Sequence, residues 1–202
     1  MATPKNSTAI ITDEKLVDQC TDITYPQVSG LKNKTVQVEI NELIKAQVNK
    51  ILPNDNCQTS TFGKYEVKLN EKGLLSLVLY FYTIREHAAN GLDIQKSITV
   101  DLATGKVYEL EDLFKPGSRY RMVLNEIIRQ QIQEKGLTLI KEFKGITDNQ
   151  DFYLTEDALV VYFQELKYTI HADGTPEFVI PYERIEHLLR EDSPIVRLLE
   201  QN

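Results

Sequence analysis

The sequence predicts an α+β fold with mostly antiparallel sheets, helices packed on one face, and two small subdomains. Two segments have the apolar spacing of amphipathic helices, and alternating apolar segments typical of strands lie between and after them. These segments do not follow the regular strand–helix–strand alternation of parallel sheets. We therefore expect an N-terminal α/β subdomain over residues 1–90 and a C-terminal α+β subdomain over residues 91–202.

The N-terminal part begins with extended chain and continues into a long helix. Residues 9–28 mix β-branched and polar residues, which favours extended structure. Apolar residues three and four positions apart then predict a helix over Thr35–Leu52, which Pro53 ends. Alternating strands are predicted to follow at Tyr65–Leu69 and Leu75–Tyr82.

The middle of the chain predicts a loop, a hairpin and a second helix. The loop covers Arg85–Leu92, and the hairpin pairs Ser97–Leu102 with a return strand at Val107–Leu110. Ser118 is the predicted N-cap of the helix, and Gly136 ends it. The residues predicted to form its buried stripe are Met122, Val123, Ile127, Ile128 and Ile132.

The C-terminal part predicts three short strands and a last helix. The strands are expected at Asp148–Leu154, Ala158–Gln164 and Phe178–Tyr182, with a loop at residues 171–176. From Tyr182 onward, apolar residues at helical spacing predict a helix.

Composition and charge exclude several classes of protein. Of the 202 residues, 42% are hydrophobic and 26% are charged, which is typical of a globular protein. The net charge of −7 disfavours nucleic acids and anionic membranes, because both bind basic surfaces. No apolar run approaches the roughly 18 residues that a membrane-spanning helix requires.

The two cysteines and the N-terminus leave the cellular compartment open. Cys20 and Cys57 are too few for a disulfide framework and too far apart in sequence for a metal knuckle. They form one bridge in an oxidising compartment if the fold brings them together, and are two thiols in a reducing one. The first residues lack the apolar stretch of a secretory signal, so the protein stays in the cell or its signal or anchor has been removed.

A search for catalytic and metal-binding patterns favours a protein that is not an enzyme and holds no cofactor or metal. The sequence has no Walker loop, no dinucleotide-binding glycine motif and no nucleophile elbow. It also has no zinc or EF-hand motif. The three histidines are His87, His171 and His187, and their spatial partners cannot be read from the sequence.

The ten tyrosines indicate a different role. Tyrosine is favoured at protein interfaces because it is rigid and amphipathic, although several tyrosines here lie within predicted strands. Exposed tyrosine combined with negative charge suits a basic protein partner.

The order of several short segments resembles a known pair of domains. The segments are Tyr25–Leu31, Arg85–Gly91, Val100–Lys106, Leu110–Phe114, Phe152–Leu154, Leu159–Phe163 and Pro176–Tyr182. In this order they resemble the paired domains of unknown function in RsiV-type anti-sigma factor ectodomains and in PdaC-type peptidoglycan deacetylases. The chain departs from that pattern where Arg85 and Glu86 replace two small residues, and again at Lys167–His171.

The resemblance implies a non-enzymatic binding module related to the cell envelope. RsiV-type ectodomains bind lysozyme, a basic enzyme, so the expected partner is a lysozyme-like protein or a peptidoglycan-type glycan. The expected binding residues lie in two loops and are His87, Asn90, Tyr168 and His171. The resemblance implies an extracytoplasmic location, whereas the missing signal leaves a cytoplasmic one open.

Two alternative functions stay open at this point. The missing signal favours a stand-alone cytoplasmic or spore-associated protein of unassigned role. The resemblance to deacetylases favours a peptidoglycan-acting hydrolase or deacetylase-like enzyme that uses His87 with an acidic neighbour, although the zinc-binding motifs of those enzymes are missing.

Overall fold

The computed structural model describes residues 8–200 and confirms the predicted α+β class. It divides into two compact units with a boundary between Val107 and Tyr108. The boundary lies later in the chain than the expected one after residue 90. The reason is that a strand at Leu92–Asp101 pairs along its length with the preceding strand, which places it in the first unit.

The first unit is a five-stranded sheet with one long helix. The strands lie in sequence order across the sheet, and every neighbouring pair is antiparallel except β2 and β3, which are parallel. The elements are β1 (Ile10–Val17), β2 (Thr21–Ser29), α1 (Lys34–Ile51), β3 (Thr59–Glu71), β4 (Leu74–Arg85) and β5 (Leu92–Asp101). The extended N-terminal segment is therefore a hairpin of two strands.

Helix α1 confirms the prediction and covers one face of the sheet. Asn33 caps its N-terminus by accepting hydrogen bonds from the backbone N–H groups of Thr35 and Val36. Four residues of α1 at helical spacing are buried, namely Val36, Ile40, Ile44 and Val48. They join a core with apolar residues of β2, β4 and β5, so burial of this stripe holds α1 on the sheet.

Two asparagines fasten neighbouring segments by paired hydrogen bonds. The Asn41 side chain accepts from the Val28 N–H at 2.7 Å and donates to the Val28 carbonyl at 2.9 Å. Asn70 makes the same pair of bonds with Ala9, at 2.9 and 2.8 Å. These side chains satisfy backbone groups that the sheet ladder leaves unpaired.

The return strand predicted at Val107–Leu110 is wrong. Only Val107 pairs, through an isolated bridge to Val100, and Leu110–Leu113 forms a 3-10 turn. Asp112 accepts a hydrogen bond from the Glu109 N–H at 2.9 Å, so an acidic side chain caps this turn. Capping favours the turn over a continued strand.

The second unit contains a helix, a small antiparallel sheet and several 3-10 turns. The sheet order is β6-β7-β8, with both pairs antiparallel. The elements are α2 (Tyr120–Glu134), β6 (Phe152–Leu154), β7 (Ala158–Tyr162), β8 (Glu177–Pro181) and α3 (Pro194–Leu199). No helix in residues 8–200 is long and apolar enough to span a membrane.

The start and the buried face of α2 differ from the prediction. Arg119 is the N-cap, because the Ser118 N–H donates to the Lys115 carbonyl and closes the preceding turn. Met122 is 56% exposed, whereas Leu124 is fully buried. The residues of the buried face are Leu124, Ile127, Ile128 and Ile132. Met122 lies two residues before Leu124 and thus on another side of the helix.

The helix predicted from Tyr182 onward is wrong. The chain forms 3-10 turns at Tyr182–Arg184 and Glu186–Leu188, and the helix α3 begins only at Pro194. The Tyr182 hydroxyl donates to the Thr155 carbonyl at 2.7 Å, and the backbone of Ile185, at φ −125°, lies outside helical geometry. The two 3-10 turns bury Ile185, Leu188 and Leu189, which lie three and four residues apart as they would on one face of an α-helix, so the sequence pattern resembled a helix.

Candidate functional site

The four predicted binding residues belong to both units. His87 and Asn90 lie in the first unit, after β4, and Tyr168 and His171 lie in the second unit, between β7 and β8. Each pair is described within its own unit.

His87 lies on a tight, exposed turn that follows β4. The Ala88 N–H donates to the Arg85 carbonyl at 2.9 Å, and the Glu86 N–H donates to the Gln58 carbonyl at 2.7 Å. His87 has a left-handed backbone with φ of 64°, and its side chain is 89% exposed. The turn therefore presents the imidazole directly to solvent.

A disulfide lies beside this turn. Cys20 and Cys57 are bonded, with their Cα atoms 5.5 Å apart, which settles the pairing that the sequence left open. Both cysteines and His87 line a polar groove of about 520 Å³. Arg85 also lines the groove, and its guanidinium donates to the Gln58 side chain at 2.9 Å. Asn90 is exposed but lies outside the groove lining.

The surroundings of His87 suit hydrogen bonding to a partner more than catalysis. Its Nε2 is 3.5 Å from Glu86 Oε1, and the Glu86 side chain is 67% exposed. A catalytic base requires a positioned nucleophile or substrate and a carboxylate that orients it. Here both side chains are solvated, so the arrangement offers donors and acceptors to a binding surface.

Tyr168 belongs to a cluster of aromatic rings in the second unit. Its ring meets those of Phe143 and Phe163 edge to face, with centroids 5.5 and 4.9 Å away. Phe163 also meets Phe178 at 5.6 Å. Phe143 and Phe163 are buried, whereas Tyr168 is half-buried. Tyr168 is thus the face of this cluster that remains open to a partner.

Lysines surround the open face of the cluster. The ammonium groups of Lys141 and Lys167 lie 5.3 and 5.9 Å from the Tyr168 ring centroid, within the range of cation–π attraction. Burial lowers the pKa of Lys167, and the charge of Lys141 lowers it further although Asp151 opposes the change. The surroundings of the Tyr168 ring are therefore basic, although the net charge of the second unit is negative.

His171 is paired with a buried carboxylate. Its Nδ1 contacts Glu165 Oε1; the Glu165 side chain is 1% exposed and the His171 side chain is 47% exposed. A buried carboxylate requires such a partner because desolvation is costly. The imidazole therefore contacts the Glu165 carboxylate on its inner side and faces solvent on its outer side.

Backbone contacts position the loop that carries Tyr168 and His171. The Ile140 N–H donates to the Tyr168 carbonyl at 2.8 Å, and Leu139 and Thr169 form an isolated bridge. The Thr138 N–H donates to an Asp173 carboxylate oxygen at 3.2 Å. These contacts fix the loop against the chain that follows α2.

Sequence reasoning missed the residues that support these two positions. Glu165 is the buried partner of His171, and Phe143, Lys141 and Lys167 surround Tyr168. Phe143 and Lys141 are distant from Tyr168 in the chain, and no short motif signals such contacts. Across residues 8–200, no group of three or more His, Cys, Asp or Glu side chains is arranged to hold a metal ion.

Comparisons with known proteins agree with the resemblance drawn from the sequence. Residues 111–183, which include Tyr168 and His171, match the family described as "Protein of unknown function (DUF3298)". The chain is 30% identical over 188 residues to the anti-sigma-V factor RsiV of Bacillus subtilis (strain 168). That alignment covers 83% of this chain and 65% of RsiV, so the chain spans about two thirds of that relative.

Two solved structures of DUF3298 proteins have a similar fold. A DUF3298 family member from Bacteroides fragilis has a TM-score of 0.67 at 17% identity, over 97% of this chain and 99% of that one. A DUF3298 family protein from Pseudomonas aeruginosa has a TM-score of 0.67 at 15% identity, over 99% of both chains. Residues 111–183 of this chain are thus similar to the DUF3298 family, and over most of its length the chain is similar to the anti-sigma factor RsiV.

Proposed function

We propose that this chain is a non-enzymatic binding module of the cell envelope that recognises a basic protein of the lysozyme type. The observation that carries the proposal is the similarity to RsiV over 188 residues, a length that exceeds either unit alone. RsiV-type ectodomains bind lysozyme, and the proposal extends that property to this chain.

The distribution of charge supports a basic partner. The first unit has 12 basic and 12 acidic residues and is neutral, whereas the second has 11 basic and 18 acidic residues. The whole net charge of −7 therefore belongs to the second unit. A field of this kind attracts a cationic protein and accelerates its association.

The disulfide supports a location outside the cytoplasm. Disulfides persist in oxidising compartments such as the periplasm and the cell surface, and are rare in the reducing cytoplasm. The bonded pair of Cys20 and Cys57 therefore favours the envelope over the cytoplasmic alternative.

The proposed contact residues are His87 and Asn90 in the first unit and Tyr168 and His171 in the second. His87, Asn90 and His171 are exposed, and Tyr168 is half-buried with its cluster behind it. Tyrosine and histidine supply both apolar area and hydrogen bonds, as residues of protein interfaces do.

Calorimetric titration with hen egg-white lysozyme at about 150 mM salt tests the proposal. At this ionic strength the Debye length is about 8 Å, so attraction between exposed charges that are farther apart than this is largely screened. We expect binding at micromolar affinity or tighter. His87→Ala and His171→Ala should each weaken it about fivefold, and Tyr168→Phe should weaken it less because the ring is kept.

His187→Ala is the matched control, because His187 is an exposed histidine outside both proposed loops. It should leave the affinity unchanged, and circular dichroism should show all variants folded. Binding that vanishes between low and moderate salt contradicts the proposal, as does unchanged affinity when His87, Asn90 and His171 are replaced together.

One observation favours a second candidate, a peptidoglycan-type glycan. Tyr168 offers a ring for stacking on a sugar, and Lys141 and Lys167 beside it can pair with a carboxylate such as that of muramic acid. Titration with a purified muropeptide distinguishes the two: this candidate predicts binding that Lys141→Gln abolishes. The same muropeptide also tests for enzymatic activity. Mass spectrometry of the recovered muropeptide, with and without added zinc, should find no hydrolysed or deacetylated product.

A further inference from the structure

A row of four side chains crosses the exposed face of the first unit's sheet. The strand registers place Asp22 of β2 beside Phe62 of β3, Phe62 opposite Tyr82 of β4, and Tyr82 opposite Asp93 of β5. Neighbouring positions in register share one face of a sheet. Two aromatic rings therefore lie between two carboxylates, in a row of carboxylate, ring, ring and carboxylate.

This row is solvent-accessible and lines a groove of about 500 Å³. Phe62 is 48% exposed and Tyr82 is 37% exposed, although large apolar side chains are ordinarily buried. The opposite face of the same strands packs against α1 through residues such as Ile23 and Phe81. The exposed rings are therefore not needed for the core.

A second combination of a ring and a carboxylate lies farther along the same face of the sheet, and it holds a cation. There the Lys68 ammonium lies 5.8 Å from the Tyr80 ring centroid and 2.6 Å from a Glu66 carboxylate oxygen. A lysine of the chain itself thus occupies a site built from one ring and one carboxylate. This combination of cation–π attraction and ion pairing is a known way to hold a cation.

Phe62, Tyr82 and Asp22 of this row offer the same groups, two rings and a carboxylate, to a cation from outside the chain. Among residues 8–200, no lysine or arginine lies over either ring, and no side chain is paired with the Asp22 carboxylate. Among the lining residues within 8–200, Lys64, opposite Tyr80, is the one cation, against the two carboxylates of Asp22 and Asp93. The groove therefore has an excess of negative charge around its rings.

The Tyr82 ring is held in place by Gly91. The Gly91 N–H donates to the Tyr82 hydroxyl at 3.2 Å. A Cβ atom added at Gly91 would lie 2.4 Å from the ring and 2.5 Å from the Thr83 carbonyl oxygen. Any larger residue at position 91 would therefore displace the ring, so this glycine keeps Tyr82 in its position over the groove.

We propose that this groove binds a basic, extended segment of a protein partner, with an arginine or lysine side chain lying over Phe62 and Tyr82 and pairing with Asp22 or Asp93. Asp22 and Asp93 are three strand spacings apart, about 14 Å. An extended segment spans this distance in about four residues. Cations four positions apart in the partner can therefore reach both carboxylates. The site lies outside the residues of the proposed function and stands independently of it.

The test uses the full chain, labelled with ¹⁵N, and two peptides of five residues. One is amidated Arg-Thr-Val-Thr-Arg, and the other has neutral citrulline in place of both arginines. We expect the arginine peptide alone to shift the amide resonances of Phe62, Tyr82 and their strand neighbours. Asp22→Asn should weaken its binding about tenfold, and Tyr82→Leu about fivefold.

Two further variants separate the groove from general charge and from misfolding. Glu66→Gln removes one carboxylate from the same sheet face, at the position that Lys68 already occupies, and should leave peptide affinity unchanged within about twofold. Gly91→Ala keeps every groove side chain but displaces the Tyr82 ring and presses on the Thr83 carbonyl, so it should weaken binding, while unchanged amide resonances away from β4 and β5 should show that the variant is folded.

Three results would overturn the proposal. They are equal binding of the arginine and citrulline peptides, resonance shifts confined to residues outside the row, and affinity that Asp22→Asn leaves unchanged. If chitotriose shifts the same resonances and the arginine peptide does not, the groove is a sugar platform and the proposal is wrong.

Discussion

The two units of this chain are built in different ways. The first has strands of 8 to 13 residues and an 18-residue helix, and its charges balance. The second has strands of 3 to 5 residues, four 3-10 turns within its described part, and the entire net charge of −7. Regular packing dominates one unit and loops dominate the other.

Under the proposed function, this difference separates structural support from recognition of the partner. Long regular elements bury a continuous aliphatic stripe, as α1 does against its sheet. Short elements leave more chain in loops, which carry side chains such as Tyr168 and His171 to the surface. We therefore regard the first unit as the more regular scaffold, and the second as the main source of attraction for a basic partner.

The largest effect is expected in the aromatic cluster of the second unit. Phe163 is 1% exposed and contacts three other rings, so Phe163→Ala should destabilise the protein by about 4 kcal/mol. Urea denaturation measures this loss. Met122→Ala is the control, because that side chain is 56% exposed, and it should change stability by less than about 0.5 kcal/mol. Similar losses for both variants would contradict a core centred on Phe163.

The next largest loss of stability is expected when the disulfide of the first unit is removed. Cys20 and Cys57 are 37 positions apart, and a cross-link of this span stabilises by about 4 kcal/mol. The double variant Cys20→Ser/Cys57→Ser should lose this amount in urea denaturation. Adding a reductant should lower the midpoint of the wild type and leave that of the double variant unchanged. Equal midpoints for the wild type with and without reductant would contradict this account.

A smaller loss of stability is expected when the side-chain clamp between α1 and β2, the two hydrogen bonds of Asn41 to the Val28 backbone, is removed. Asn41→Leu leaves the N–H and carbonyl of Val28 without their partners, and Val28 is 1% exposed. The loss should be about 2 kcal/mol. Asn49→Leu makes the same change at an exposed position of the same helix and should be nearly neutral. If the two variants unfold alike, the clamp contributes nothing.

The smallest effect is a loss of stability in alkali that depends on Tyr65. Burial raises the pKa of Tyr65 to about 12, and its hydrogen bond to Asp13 at 2.6 Å adds to the rise. The folded-state pKa is thus above that of the unfolded chain, so this contribution is complete below about pH 10 and is lost as the pH rises towards 12. Urea denaturation between pH 9 and 12 should show a steeper loss for wild type than for Tyr65→Phe. Parallel pH profiles would contradict this.

Periodicity explains which parts of the fold the sequence could predict. Helix α1 was predicted because its four buried residues lie on one face, and the β3–β4 hairpin because its strands alternate. The segment after Tyr182 could not be predicted, because its 3-10 turns, held by contacts such as Tyr182 to Thr155, give apolar residues the same spacing as an α-helix does. Met122 was misplaced because the start of α2 depends on the turn that Ser118 closes.

The candidate sites depended on contacts that are distant in the chain. The sequence suggested His171 but not the buried Glu165 behind it. The row across the sheet requires the register that pairs Phe62 with Tyr82, and a shift of β3 by one residue would turn the Phe62 ring to the core. Local patterns do not determine such a register.

The central claim is that the charge of the second unit attracts the partner, and two matched variants test it most directly. Glu183→Gln/Glu186→Gln and Glu39→Gln/Glu42→Gln each remove two exposed carboxylates three positions apart, one pair from each unit. Both change the net charge from −7 to −5. Stopped-flow association with hen egg-white lysozyme at low salt should be about threefold slower for the second-unit variant and nearly unchanged for the first-unit variant. Equal slowing of both, or slowing confined to the first-unit variant, would contradict the claim.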